Sequence, residues 1–418
     1  MKQIWYERRI NLWLWVELLL VSVVLWYVVD ELYTTAHVYL EPRGFSIEDT
    51  YLLRIGTLPP NSHEYVARSD TQEPAGTDLL QIVERLRLHP EVEAVSLSRN
   101  SYPYNGSNTH MPISIDTLSS GVLVRSATVD FLKVFQYRGI QGETPEELIS
   151  LLTEKHTFIA GDNLYQRDYG ISLRSFTGKD FYFGGDSLDT RRLVAVTQPV
   201  RYSDFASIYG SRFIFYVIDD SEIAALDERR VVYYELCLRT RPGTESGFED
   251  RIRRDFETHY RSGNLFIKGI QSMETVRHRY QLDEMNELRN YLWGMGFLLV
   301  NIFLGLLGTF WFRTQQRRSE LALRMSFGST RRQIFSYLLK EGLFLLLVAT
   351  IPAVAIDHIL AMNEYNSYLN GHYLEAGRFV TTVGITFGLI AVTLVVGIWY
   401  PASKATKIEP ALALRAEG

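Results

Sequence analysis

Four long apolar runs interrupt an otherwise polar chain, at residues 10–29, 291–312, 343–360 and 379–400. Each approaches the roughly 20 apolar residues that a helix needs to cross a bilayer core. The pattern therefore predicts four transmembrane helices. Trp13, Trp26, Trp293, Trp311 and Trp399 fall near the ends of these runs, where interfacial aromatics gather. No small-residue cleavage site follows the first run, which continues as "VVDELYTTAHVY". It is expected to be a retained anchor rather than a signal peptide.

Between the first two runs, residues 30–289 are polar and mixed, with no low-complexity tract. That length is ample for a domain with its own core. "HVYLEP" and "TYLLRIG" have the alternation of strands. In "TDLLQIVERLRLHPEVEAVSLSR", Leu79, Ile82, Val83 and Leu86 recur at helical spacing, Pro90 marks a turn, and Val92, Val95 and Leu97 suit a strand. "VVYYELCLRTRPGTESGFEDRIRRDFETHY" repeats the theme as strand, Pro-Gly turn and helix, with Phe248, Ile252 and Phe256 inward. Residues 123–217 between these units are rich in strands and glycine turns. The predicted fold class is an α-helical membrane protein with four transmembrane helices and a large α+β extracytoplasmic domain. That domain is expected as two βαβ-like lobes with a β-rich insertion. "IQSMETVRHRYQLDEMNELRNYLWGMGFLL" contains no proline, and its glycines lie in the apolar part. It predicts one long helix rising out of the membrane, with "DELYTTA" as a companion.

Charge placement adds an orientation. Lys2, Arg8 and Arg9 precede the first run. Arg313, Arg317, Arg318, Arg324, Arg331, Arg332 and Lys340 lie between the second and third, and Lys404, Lys407 and Arg415 follow the fourth. Between the third and fourth only Arg378 is basic. The basic segments all fall on one side, which places both termini and the 313–342 connection in the cytoplasm and the long polar segment outside. The net charge of −5 argues against a nucleic-acid partner, and the single cysteine, Cys237, excludes an internal disulfide framework or a cysteine metal cluster.

Motifs for chemistry are missing. No G-x-x-x-x-G-K-[ST] phosphate loop occurs, and "TGKD" at 177–180 lacks the earlier glycine. There is no H-E-x-x-H or G-x-S-x-G, and the nine histidines are scattered. No catalytic, cofactor-binding or metal-binding residue is expected. Glu17 in the first run and Asp357 and His358 in the third are intramembrane ionisable groups, which are costly and often functional. The plain reading of Glu17 is an interhelical pair or hydrogen bond inside the helix bundle. Asp357 and His358 are expected near the outer end of their span, within reach of headgroup water.

The basic connection "RRSELALRMSFGSTRRQI" is oily between its charges. Ser319 is placed to cap a short helix with Glu320 in its first turn. Gly328 suits the left-handed position that ends a helix, and Thr330 with Gln333 fits a capping box that starts the next. Projected at about 100° per residue, Leu321, Ala322 and Met325 share one sector, while Leu323 and Phe327 share another on the opposite side. A simple surface helix has one apolar stripe. Two sectors imply burial on two sides; the alternative is an interfacial helix whose basic residues face anionic lipid.

"SELALRMSFGSTRRQIFSYLLKEGL" resembles the coupling segment of the MacB/FtsX-type ABC transporter permeases. Glu320, Arg324, Gly328 and Glu341 stand on the recurrent positions. The tail "YPASKATKIEPALALRAEG" resembles the same family's ending through Tyr400, Pro401, Ala402, Pro410, Ala413, Leu414 and Arg415, with Ser403, Glu409 and Ser326 departing from common residues. One span, a large outer domain and three further spans is also that family's layout. "LHPEVEAVS", "VDFLKVFQYRGIQGE", "HTFIAGDNLYQRDYG" and "RRLVAVTQPVRYSDF" follow the order of the MacB-like periplasmic domain.

The resemblance implies a non-catalytic permease subunit of the bacterial inner membrane. It would comprise a cytoplasmic N-terminus and first span (1–30), a periplasmic domain (31–270), a stalk helix and second span (271–312), a coupling segment (313–342), two more spans (343–400) and a cytoplasmic tail (401–418). It implies a separate ABC ATPase holding ATP and Mg, with no cofactor in this chain, and a dimer with a second copy or paralogue in the lipid bilayer. A periplasmic adaptor and an outer-membrane channel are further partners of some members. Glu320, Leu321, Leu323, Arg324, Phe327 and Gly328 would dock in the ATPase, with Arg331 and Arg332 contacting its acidic residues or lipid. Closure of the ATPases would move the periplasmic domain, driving efflux or export by mechanotransmission. Two alternatives stay open: an FtsX/LolC-like device that activates a cell-wall hydrolase or moves lipoproteins, and a membrane-anchored structural protein without an ATPase.

Overall fold

The computed structural model describes residues 8–405 except 68–73, 108, 185, 209–211, 245–246 and 257. In chain order, the principal elements begin with helix α1 (Arg8–Leu40), β1 (Thr50–Thr57), α2 (Ala75–Arg87), β2 (Val92–Arg99), β3 (His110–Ile115) and β4 (Leu118–Ala127). Strands β5 (Thr157–Gly161), β6 (Asp180–Phe183), β7 (Asp186–Thr197), β8 (Phe213–Val217) and β9 (Glu235–Thr240) follow, then α3 (Phe248–Arg254), β10 (Arg261–Ser262) and β11 (Leu265–Ser272). The chain closes with α4 (Met273–Tyr280), α5 (Leu282–Gln316), α6 (Arg318–Ser326), α7 (Arg331–Met362) and α8 (Ala376–Ala405). It divides into two compact units, one holding the chain up to His37 and from Glu284, the other Val38–Asp283.

The Val38–Asp283 unit is built on one hydrogen-bonded ladder of eleven strands, in the order β10-β11-β1-β9-β2-β4-β3-β6-β7-β5-β8. Within it, β1 is antiparallel to both β11 and β9, and β9 is antiparallel to β2. Thus β1-α2-β2 and β9-α3-β11 each place a parallel strand pair around a strand of the other unit, as in the split βαβ arrangement. The two strand-and-helix units therefore interleave into a single lobe, where the sequence pattern predicts two. Alternation explains the packing. Leu53, Val95, Leu236 and Leu238 face a core shared with Leu79, Ile82, Val83 and Leu86 of α2 and Phe248 and Ile252 of α3. Leu52, Ala94 and Cys237, one residue out of phase, face a second core built around Phe131, Phe135 and Tyr137.

The insertion starts earlier than residue 123, at His110. Its strands β4-β3-β6-β7-β5-β8 close on themselves, because β8 pairs with β5 and, in parallel, with β4. Closure removes free strand edges around a third core with Phe158, Phe181, Phe183 and Leu193. Among the described residues, Ser98↔Ala127 and Arg99↔Ser126 are the pairs that join this ring to the first lobe's sheet.

In the other unit, four helices among the described residues are long and apolar enough to cross a membrane: those at Leu12–Leu40, Leu282–Gln316, Arg331–Met362 and Ala376–Lys404. Helices approach closely where side chains are small. A Cβ on Gly342 of α7 would stand 2.6 Å from Ile398 and 3.0 Å from Leu394 of α8, and one on Gly305 of α5 would stand 2.4 Å from the Glu17 carboxylate. Glu17 thus lies against the bare backbone at Gly305, and the interhelical pair or hydrogen bond expected of it is not among the contacts of the described residues.

Several expectations are corrected. "HVYLEP" is not a strand: α1 continues to Leu40 and stops where Pro42 restricts Glu41. The predicted single stalk helix is instead the end of β11, the helix α4 capped by Ser272, and α5, with Gln281 between the helices. No proline or glycine marks that break, and nothing local explains it. Trp26 is packed inside the helical unit rather than on its outer surface. It is 1 % exposed, its indole N–H donates to Thr382 Oγ1 at 3.0 Å, and its ring meets Phe379 edge-on. Asp357 is not open to headgroup water either. It is 2 % exposed, shares a small space with Ser22, Trp26 and Thr386, and its Oδ1 has no hydrogen-bond partner. His358 beside it is exposed and meets the Phe379 ring edge-on.

Candidate functional site

Helix α6 and its two junctions form the candidate site. The chain leaves α5 through Arg317, whose Nη1 donates to Glu341 Oε2 of α7 at 3.0 Å with both side chains buried. Breaking a buried pair of this kind leaves an uncompensated charge, so the pair fixes where α6 begins. Arg317 occupies the N-cap position. Ser319, expected there, falls inside the first turn because the helix starts two residues sooner.

The C-terminal end of α6 is a Schellman turn. The amide of Ser329 donates to the Arg324 carbonyl at 3.0 Å and that of Gly328 to the Met325 carbonyl at 3.0 Å. Gly328 has φ +95°, the left-handed conformation in which glycine is unstrained. Helix α7 then opens with the expected capping box: Thr330 Oγ1 accepts from the Gln333 amide at 3.3 Å, and Gln333 Oε1 accepts from the Thr330 amide at 2.8 Å.

Held at both ends, α6 shows the two apolar sectors to different surroundings. Leu321 is 1 % exposed in the core that includes Phe310, Ile334, Leu338 and Ile398, and Met325 packs against the same core. Leu323 is 47 % exposed and Phe327 is 84 % exposed. The remaining charges are tied along the flank. Arg324 pairs with Glu320 at 2.8 Å, and its guanidinium lies 4.7 Å from the centre of the Tyr337 ring. Arg331 and Arg332 are exposed in the first turn of α7. The helix therefore offers a half-apolar surface that is held at both ends. Burying Phe327 against a second surface is worth about 1.5–3 kcal/mol.

Residues 294–410 match the family model for the FtsX-like permease C-terminal domain. This FtsX-like segment takes in α6, α7, α8 and most of α5, so the candidate site lies wholly within it. Among curated proteins none matches the chain. Among solved structures, the extracellular domain of the noncanonic ABC-type transporter YknZ from Gram-positive bacteria aligns with 52% of this chain and 100% of its own, at 12% identity and a TM-score of 0.29. Values that low establish no common fold.

Of the residues singled out in the sequence, Glu320, Leu321, Leu323, Arg324, Phe327 and Gly328 come together on α6 and its cap, with Arg331 and Arg332 just beyond. Tyr400, Pro401 and Ala402 lie in the last turns of α8, where Ala402 is buried. Pro410, Ala413, Leu414 and Arg415 fall outside the described residues. Glu17, Asp357 and His358 are not part of the site.

One cluster in the helical unit escaped the sequence reading. Asp30 of α1, 1 % exposed, receives the Arg378 Nε–H at 2.8 Å on Oδ1 and the Asn366 amide at 3.0 Å on Oδ2, and Arg378 Nη2 also binds Oδ2. Arg378 further donates to the Ser367 carbonyl at 2.8 Å. The lone arginine between the third and fourth runs is thus a buried partner of α1. The available signal was an acidic residue at the end of one apolar run and a single basic residue at the start of another.

Proposed function

We propose that this chain is the permease subunit of an ABC-type system and that a separate ATPase docks on the Leu323 and Phe327 face of α6. The observation that carries the reading is the division of α6. Inside an FtsX-like segment, one apolar sector is buried in the helical core while the other stands open at a helix pinned by an ion pair and a Schellman turn. A rigid lever needs such fixed ends, because force applied to a loose loop is lost in its own rearrangement.

On this reading the basic segments and α6 lie in the cytoplasm, the Val38–Asp283 unit lies outside, and ATP-driven movement of α6 reaches that unit through the helices. Two permease copies would face two ATPases, the membrane would be the bacterial inner membrane, and the work would be efflux or export without a catalytic residue in this chain. Photocrosslinking tests the docking. A crosslinking side chain placed at Leu323 or Phe327 of the full chain, coexpressed with its cognate ATPase, is expected to capture that subunit, while one at Leu321 is not. Capture from all three positions, or from none, contradicts the assignment. Orientation is open to cysteine labelling, because Cys237 is fully buried and contributes little background.

A further inference from the structure

A cavity of about 800 Å³ in the Val38–Asp283 unit lies beside the segment that follows α1. Its wall combines guanidinium groups from four distant parts of the chain: Arg43, Arg138, Arg239 and Arg277. Four carboxylates line it as well, and their existing partners decide its character. Asp204 is already taken, receiving Arg277 Nε–H at 2.7 Å and the Tyr104 hydroxyl at 3.0 Å. Glu41 lies 3.9 Å from Arg201, which is fully buried behind the wall. Glu48 and Glu93 are exposed on the rim.

Arg239 has no such partner. It projects from β9 on the side opposite Leu236 and Leu238 and is only 7 % exposed. Its Nε donates to the Val134 carbonyl at 2.7 Å and its Nη2 to the Ser46 carbonyl at 3.2 Å. Both acceptors are neutral. Among the described residues no carboxylate forms an ion pair with it. A guanidinium carries five N–H donors, so three remain, and Nη1 is not among the sealed, unsatisfied atoms and opens onto the cavity. Burial opposes its charge more than Glu93, Asp49 and Glu48 support it. A buried cation without a paired counter-charge is unfavourable, and an anion entering the cavity offsets that. Among the described residues, half-buried Arg43 has the Tyr104 hydroxyl at 3.5 Å as its side-chain partner, and exposed Arg138 has no ion pair. The wall is rigid between them. Gly44 has φ +78° and packs so tightly that a Cβ there would stand 2.2 Å from the Pro199 carbonyl oxygen.

We propose that this cavity binds a phosphate-bearing ligand, with Arg239 as the buried anchor and Arg43 and Arg138 at the mouth. A guanidinium edge matches two oxygens of an oxyanion, and guanidiniums on separate walls favour a group with oxygens on several sides. Phosphate reaches such a site either as a soluble phosphate ester or as a lipid headgroup. Tyr39 and Leu40, which form part of the wall, are the last residues of α1, the helix that carries the first apolar run. The headgroup is therefore one of the two sources to test.

The test uses the full chain in detergent. Thermal unfolding is followed while inorganic phosphate is added, and separately while the micelles are doped with phosphatidylglycerol or with an uncharged diacylglycerol. Phosphate-dependent or phosphatidylglycerol-dependent stabilisation is expected, without any response to diacylglycerol. Stabilisation by phosphatidylglycerol alone identifies the headgroup, and by both probes a general phosphate site. The Arg43→Gln/Arg138→Gln variant, altered only at the mouth, is expected to need at least tenfold more ligand for the same shift. Arg239→Gln is expected to lose the response, and circular dichroism verifies its fold; if it does not fold, the mouth variant decides. No stabilisation of the wild type by either probe overturns the proposal, as does an unchanged response in the mouth variant.

Discussion

Replacing Asp30 by Asn tests how the helical unit is held together. In the native chain both carboxylate oxygens are engaged, Oδ1 by Arg378 Nε–H at 2.8 Å and Oδ2 by the Asn366 amide at 3.0 Å, and both charged side chains are at most 2 % exposed. Asn preserves the shape and one acceptor. Its amide nitrogen, however, takes the place of one oxygen and faces donors from Arg378 or Asn366, while the Arg378 charge loses its counter-ion. Removing one member of a buried pair costs about 3–5 kcal/mol. Arg378→Gln strands Asp30 in the same way and is expected to cost a similar amount. The double variant exposes no lone charge, so its cost should fall short of the sum by at least about 1.5 kcal/mol, within the range measured for directly contacting residues. Denaturant titration of the detergent-solubilised full chain, read by tryptophan fluorescence, measures all three. Single variants that each cost less than about 1 kcal/mol, or costs that simply add, refute the reasoning.

Other predictions concern single contacts. Gly328→Ala meets no atom within 4 Å, so its cost is purely conformational; a left-handed alanine costs about 1–2 kcal/mol, read as faster hydrogen exchange at the Ser329 amide. Leu79→Ala removes a fully buried side chain from the first core and should destabilise the Val38–Asp283 unit by about 2–5 kcal/mol, measured as a lowered unfolding midpoint. Burial raises the pKa of Glu235 even though the Ser101 amide and the Ser98 hydroxyl oppose the shift. The folded state therefore binds its proton more tightly than the unfolded chain. Stability from this group is full below the unfolded value of about 4.3 and is lost as pH rises through the folded pKa. Glu235→Gln should flatten that dependence, and an unchanged pH profile would count against it.

Much of the helical unit was legible because its signals are local. Apolar runs mark the spans, Thr330 and Gln333 lie three residues apart, and Gly328 needs only its own backbone angle. The split of α6 into Leu321 and Met325 against Leu323 and Phe327 follows from helical geometry, and the burial of one side agrees with it. What escaped was non-local. Asp30 and Arg378 are 348 residues apart, and no spacing rule connects them. Trp26 and Asp357 lie at positions that favour an interface, yet contacts with α8 bury the tryptophan, and the aspartate shares its space with residues of α1 and α8. In the sheet unit, strand and helix assignments held for β1, α2, β2, β9 and α3. Their interleaved order depends on pairings between β1, β9 and β11, which alternation cannot reveal. "HVYLEP" failed because four residues of apolar alternation also fit the last turn of a long helix.

The most direct test of the central claim is capture and stimulation of the cognate ATPase by the full chain carrying Phe327→Asp. Phe327 is 84 % exposed, so the variant is expected to keep its unfolding midpoint while capturing the ATPase at least tenfold less well and failing to stimulate ATP hydrolysis. A folded Phe327→Asp protein that binds and stimulates the ATPase as the wild type does contradicts the account.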